Sequence, residues 1–198
     1  MHQILKDDYY VVLDDVISET LQKEIYDTLD NKRELFDWYF YDKTIPEKSK
    51  HDIENTVETG QFVHIFLTTH ENETFTSPHL PLVHKLVAEV FTKYTIEDHK
   101  LLRAKANFLV NNRGTHENSH SGVHVDLDTP HTVLLYYVND SDGDTFLFNT
   151  DGTIQSRIKP QRGRLLVFNG KIFHASANPI NHKKRWVVNI DLEAYNNL

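Results

Sequence analysis

The chain reads as an α+β protein that is mainly β. Three observations predict this. After residue 100, eight short runs rich in β-branched and aromatic residues follow one another, broken by turn signals such as Asn139-Asp140-Ser141-Asp142-Gly143 and Thr150-Asp151-Gly152. Before residue 100, two stretches carry apolar residues at helical spacing. With 198 residues, 39% of them hydrophobic, and no repeat or linker, one sizeable core is expected in a single domain spanning 1–198. Eight strands in succession indicate a sandwich or a closed barrel.

Taken in order, YYVVLD (9–14) predicts a short strand. Residues 17–31 predict a helix capped by Ser18, with Leu21, Ile25 and Leu29 recurring every four residues. The aromatic cluster Phe36, Trp38, Tyr39, Phe40 and Tyr41 reads first as core, with a substrate platform as the alternative. The polar stretch KTIPEKSKHDIENT (43–56) reads as a long loop, either a lid or a plain connection. A strand over 61–70 and a second amphipathic helix over 80–94, with Leu82, Leu86, Val90 and Tyr94 on one face, complete this half. The strand runs then are 101–111, 122–128, 131–139, 144–150, 153–159, 164–170, 173–180 and 185–192.

Composition removes several classes of function. The absence of cysteine excludes disulfides, thiolate zinc sites and cysteine nucleophiles. A formal charge of -8 sets up a field that repels phosphate backbones, so nucleic acid is an unfavourable partner. The charged opening MHQILKDDYY lacks the apolar core of a signal peptide, and no run approaches about 18 apolar residues, so a cytoplasmic protein without a membrane span is expected. Oligomeric state has no signature in the sequence.

The stretch THENSHSGVHVDLD (115–128) holds two metal motifs. His116, Glu117 and His120 have the HExxH spacing of a zinc peptidase, which works only on a helix because a 3.6-residue period brings i and i+4 to one ion. Gly114, Asn118, Ser119, Ser121 and Gly122 form helices poorly, and no apolar face is present to dock one. A polar loop is the expectation, with His116 and His120 near the site's approach. His124 and Asp126 need the opposite geometry: side chains i and i+2 share one face of a strand, and Val123, Val125 and Leu127 supply the other. A third ligand from elsewhere is available in His174. In the last strand Trp186, Val188, Ile190 and Leu192 fall on one face and Arg185, Val187 and Asn189 on the other, so Arg185 faces the barrel and wants a carboxylate. Asn107 alternates with Ala106 and Phe108 and is a further candidate to touch a ligand.

In their order and spacing, His124-x-Asp126, HTVLLYYVND followed by SDGDT, RLLVFNG, His174 and Arg185 make the chain similar to the Fe(II)- and 2-oxoglutarate-dependent oxygenases. The likeness is greatest to the prolyl 4-hydroxylase-like branch and its short phage and bacterial relatives. It spans about 101–193, and more loosely the N-terminal YYVVLDDVISETL. SDGDT departs from that family's usual Gly-Gly-x-Thr by losing the first glycine to Asp142.

The resemblance implies a double-stranded β-helix, or jelly roll, as a catalytic core over 101–198 with 1–100 as a helical and strand support. It implies Fe(II) held by His124, Asp126 and His174, with 2-oxoglutarate and dioxygen taking the remaining positions. Arg185 would meet the distal carboxylate, Tyr137 would donate a second hydrogen bond there, and Asn189 is a further candidate. Tyr136 and Tyr137 point to opposite faces, so choosing Tyr137 rests on the resemblance. The implied reaction hydroxylates an unactivated C–H bond and releases succinate and carbon dioxide, with a prolyl residue or a small amino-acid-like molecule as substrate. The alternative is a cupin-like module that binds a metal or small acid without turnover.

Overall fold

A computed structural model describes residues 9–32, 34–44, 53–70, 73–94 and 100–193. Along the chain run β1 (Tyr10–Leu13), α1 (Glu19–Leu29), β2 (Tyr39–Tyr41), β3 (Gln61–His70), β4 (Glu73–Thr76) and α2 (Leu80–Tyr94). They are followed by β5 (Leu101–Val110), β6 (His131–Tyr137), β7 (Thr145–Phe148), β8 (Ile154–Ile158), β9 (Leu165–Asn169), β10 (Phe173–Ser176) and β11 (Lys184–Glu193).

The strands make two antiparallel sheets. The larger has the order β1-β9-β6-β11-β5-β3-β2, with β4 added beside β3, and the smaller the order β10-β7-β8. The fold is mainly β, a jelly roll with helices against one face. Strand alternation decides what each face meets. On β11, Trp186, Val188, Ile190 and Leu192 join a core with Ala104 and Ala106 of β5 and with the buried faces of α1 and α2. The alternate residue Val187 faces the smaller sheet, in a second core with Val133, Leu135 and Tyr137 of β6 and Leu147 of β7. Tyr136 and Tyr137 therefore divide between the two cores.

The helices form where the spacing predicts them. Ser18 caps α1, its hydroxyl accepting from the Leu21 N–H at 3.3 Å, and Leu21, Ile25 and Leu29 are buried beneath. Glu89 of α2 accepts hydrogen bonds from the Ser18 N–H at 2.6 Å and its hydroxyl at 2.9 Å, placing an anion at the positive end of α1. Ser77 starts α2: its hydroxyl accepts from the His79 N–H at 3.1 Å and its carbonyl from the Leu80 N–H at 3.0 Å.

Three expectations change. Residues 122–128 do not form a strand; isolated bridges replace it, among them that of His124 with His174. The backbone explains it. Ser121 N–H bonds to the Ser176 carbonyl and His124 exchanges two bonds with His174, so three steps on one chain face two on the other, as in a bulge that breaks the ladder. The aromatic cluster divides: Phe36 is buried, Trp38 packs on the helix-side core, and Tyr39, Phe40 and Tyr41 on β2 are exposed. β2 and β4, too short for a period to register, were not expected as strands. Of the loop 43–56, residues 45–52 lie outside the described residues.

The altered glycine pair is also resolved into two jobs. A Cβ on Gly143 would sit 2.5 Å from the Ala177 carbonyl oxygen, so only glycine permits this approach. Asp142 instead binds the facing turn, its carboxylate accepting from the N–H groups of Ile180, Asn181 and His182 at 2.7 to 3.2 Å. Burial alone would raise this carboxyl, but those backbone donors hold it well below the ordinary range. Asp142→Ala should lower the unfolding free energy by about 2 kcal/mol near neutrality, the size of hydrogen bonds to a charged acceptor. A carboxyl with a depressed folded pKa contributes above the unfolded value of about 3.9 and loses that contribution as pH falls, so the difference from wild type should shrink below about pH 4 in urea titrations.

Candidate metal centre

His124 and His174 meet as directly opposed residues: each N–H bonds to the other's carbonyl, at 3.1 and 2.9 Å, so both side chains leave the same face. Their rings stand 4.4 Å apart between centroids. Asp126, two residues beyond His124, comes to the same point, and one donor atom from each of the three lies within 4.8 Å of the others. The Nδ1 atoms are taken by main chain, that of His124 by the Gly122 carbonyl at 3.2 Å and that of His174 by the Ile172 carbonyl at 3.1 Å. Each Nδ1 thus donates to main chain, and each Nε2 is turned toward Asp126, at 3.9 Å for His124 and 3.3 Å for His174. Burial, and then the neighbouring His174, push His124 down to about 3, so the imidazole is neutral as a ligand must be. Two imidazoles and one carboxylate, converging from one side, fit a divalent cation with open positions.

Asp126 is almost wholly buried, and its surroundings are cationic. Arg103 on β5 binds its Oδ1, Lys105 reaches that atom at 3.6 Å, and Asn189 on β11 donates to Oδ2 at 3.0 Å. Burial would raise this carboxyl, but Arg103, then Lys105, hold it well below the usual range. Arg103 also grips Asp191 through Nε at 2.6 Å. Asp191 itself is pushed up to about 6 by burial and by the Asp126 charge. The register explains this cluster, since Asn189 pairs with Lys105 and Asp191 with Arg103 across β11 and β5.

Further along the same face lies Arg185, 2% exposed. Its Nε donates to the Gly143 carbonyl and its Nη2 to the Thr145 hydroxyl, both at 2.7 Å. Neither partner is charged. Tyr137 is buried at 5.8 Å from the guanidinium, and its hydroxyl donates to the same Thr145 Oγ1 at 2.7 Å. Thr145 lines the cavity and stands between it and the Tyr137 hydroxyl, which the sequence expectation assigned to a ligand. Burial raises its phenol to about 12, so it is a donor at neutral pH. A cavity joins these groups: His124 and His174 line it together with Lys105, Asn107, Asn189, Thr145 and Arg185, with Thr44 also on its wall. Asn107 donates to Gln61 at 3.3 Å, leaving its buried carbonyl oxygen without a partner, as is that of Asn189.

HENSH forms no helix. Its first turn closes by a Ser119 N–H bond to the His116 carbonyl, and Arg157 on β8 ties it down through the Glu117 carbonyl and Asn118. His120 is buried against Phe146 and Phe148 rather than lying on an approach, and neither it nor His116 joins a metal-ligating group among the described residues. Arg103, Lys105, Asp191 and Thr145 were not singled out from the sequence. The first three share the alternation that marked Asn107 and Arg185; the signal was a period of two, carried one step further.

No protein-family model and no curated protein sequence matches the chain. Solved structures do match in fold. A 2OG-Fe(II) oxygenase family oxidoreductase from Burkholderia pseudomallei aligns with a TM-score of 0.70 at 12% identity, over 94% of this chain and 86% of that one. A Pseudomonas putida prolyl-4-hydroxylase aligns at 0.56 and 11% identity, over 94% and 92%. The viral collagen prolyl hydroxylase of Paramecium Bursaria Chlorella virus-1, in its 2OG complex, aligns at 0.54 and 14% identity, over 95% and 97%. The chain therefore has the fold of the 2OG-Fe(II) oxygenases and prolyl hydroxylases.

Removing the carboxylate takes from Lys105 its one close ion-pair partner and leaves Arg103 with Asp191 alone. Asp126→Ala should destabilise the metal-free protein by about 3–5 kcal/mol, measured by denaturant unfolding. Asn189→Ala, which removes only the hydrogen bond orienting that carboxylate, should keep the fold and weaken Mn(II) binding by about 10- to 100-fold in calorimetry.

Proposed function

We propose that the protein is an Fe(II)- and 2-oxoglutarate-dependent dioxygenase that hydroxylates an unactivated C–H bond of a small molecule or peptide. One observation carries this reading: a two-imidazole, one-carboxylate donor set shares a cavity with a buried guanidinium whose protein partners are uncharged. A guanidinium out of water needs an anion, and Arg185 has none of its own in hydrogen-bond contact. A dicarboxylate supplies it. Two fold neighbours carry such molecules: the viral enzyme is a 2OG complex, and a prolyl hydroxylase from Trichoplax adhaerens is in complex with a hypoxia inducible factor peptide fragment.

In this reading His124, Asp126 and His174 hold Fe(II). With 2-oxoglutarate and dioxygen, the iron supplies oxidative decarboxylation to succinate and carbon dioxide coupled to hydroxylation. The chain's own residues bind and orient. Arg185, fixed by Gly143 and Thr145, presents its remaining N–H groups to the distal carboxylate in a charge-assisted contact. Thr145 Oγ1 already accepts from Tyr137 and Arg185, so its own O–H is left to donate to the same carboxylate. Tyr137 is thus a positioning residue for Thr145. Asn189 orients Asp126, and Asn107 offers an unpaired carbonyl oxygen to the cavity. The apolar lining from Val133, Leu135, Phe168 and Val187 keeps bulk water from the reacting atoms.

Anaerobic addition of Fe(II) and 2-oxoglutarate should produce a metal-to-ligand charge-transfer band, and succinate should form only with dioxygen. Failure of the band to form, or its persistence in His174→Ala, sinks the reading. Dioxygen-dependent succinate also separates an enzyme from a cupin-like binder. Arg185→Met should raise the KM for 2-oxoglutarate by about 100-fold, which corresponds to a ~3 kcal/mol hydrogen bond to a charged group.

A further inference from the structure

We propose that Lys105 is the receptor for a carboxylate on the substrate, so that this protein hydroxylates an anionic, carboxylate-bearing molecule. The inference rests on the Fe(II)/2-oxoglutarate reading and deepens it. Three cations face this interior from β5 and β11, namely Arg103, Lys105 and Arg185, against two carboxylates, Asp126 and Asp191. Asp144, the nearest further carboxylate to Arg185, is engaged by Arg157 at 3.1 Å. One positive charge is left over. A divalent cation and a dicarboxylate cancel each other, so loading the site leaves that surplus in place.

The surplus falls on Lys105. Arg103 is satisfied by two carboxylates, Asp126 and Asp191, and Arg185 is the group that meets the co-substrate. Lys105 has a single, longer contact of 3.6 Å to Asp126 Oδ1, an atom Arg103 already binds and a cation would also claim. A metal on Asp126 repels the ammonium from it. Lys105 then lines the cavity with Asp191 as its remaining carboxylate neighbour, attracted through space but with no hydrogen bond between them, so its N–H donors are free to meet a ligand. Its side chain retains 19% exposure, so it can turn toward a ligand. It lies beside His124, whereas Arg185 stands four residues away along the strand from Asn189, the cross-strand partner of Lys105, a backbone span of about 13 Å. The two cations mark separate ends of the cavity, one for each acid. A single surplus charge matches a carboxylate rather than a phosphate dianion, which would leave the interior negative.

The test uses the full chain loaded anaerobically with Fe(II) and 2-oxoglutarate, and acetate, acetamide and inorganic phosphate as probes. The charge-transfer band is the first readout: its absence from the wild type overturns the parent reading, and this inference with it. With the band present, acetate should shift it at millimolar concentration and acetamide should not. In Lys105→Met the band should form, and acetate should act at least about tenfold more weakly. Equal effects of acetate and acetamide, no effect of acetate, tighter binding of phosphate, or an undiminished acetate effect in Lys105→Met each overturn the assignment while leaving the parent reading standing. Loss of the band in Lys105→Met also overturns it, because Lys105 would then serve the metal or the co-substrate.

Discussion

The ion pairing of Asp126 is the interaction on which the rest of this interior depends. A carboxylate with 1% side-chain exposure is too costly to bury alone, and the chain surrounds it with Arg103, Lys105 and Asn189. Those partners come from β5 and β11, and each needs its own compensation. Arg103 is compensated by Asp191 of the opposite strand. The polar interior is thus one network rather than a set of separate ligands. It sits on the same strand faces that would otherwise continue the apolar core between the sheets.

That arrangement follows from the period of two. β11 sends Trp186, Val188, Ile190 and Leu192 into the helix-side core, where they bury the amphipathic faces of α1 and α2. Its alternate residues are free for other work because the helix side already supplies apolar burial. Arg185, Asn189 and Asp191 use that freedom, as do Arg103, Lys105 and Asn107 on β5. The helices therefore contribute to the site without touching it: they anchor the face of the sheet that lets the other face be charged.

Much of this was readable in the sequence. Both helices and most strands over 101–192 follow from spacing and turn residues, and Ser18 as a cap follows from its position before the first apolar repeat. His124, Asp126 and His174, singled out by their order in the chain and by the family resemblance, do come together. Residues 122–128 were misread as a strand because alternation reports which side chains share a face and is blind to whether a ladder of hydrogen bonds forms; the bulge opposite Ser176 is a property of two segments together. The role of Thr145 was hidden for a related reason. A threonine at the start of a strand looks ordinary until Tyr137 and Arg185 both point at its hydroxyl. HENSH was correctly denied a helix, but the burial of His120 against Phe146 and Phe148 depends on the smaller sheet's outer face, which no local pattern describes.

The bulge has a further consequence for the segment that carries two of the three donors. Residues 122–128 are joined to the smaller sheet by one backbone pair, His124 with His174, instead of a ladder. An ion shared by those two side chains would act as a cross-link between distant parts of the chain, at the place where main-chain pairing is thinnest. Metal binding would then add directly to the stability of this segment.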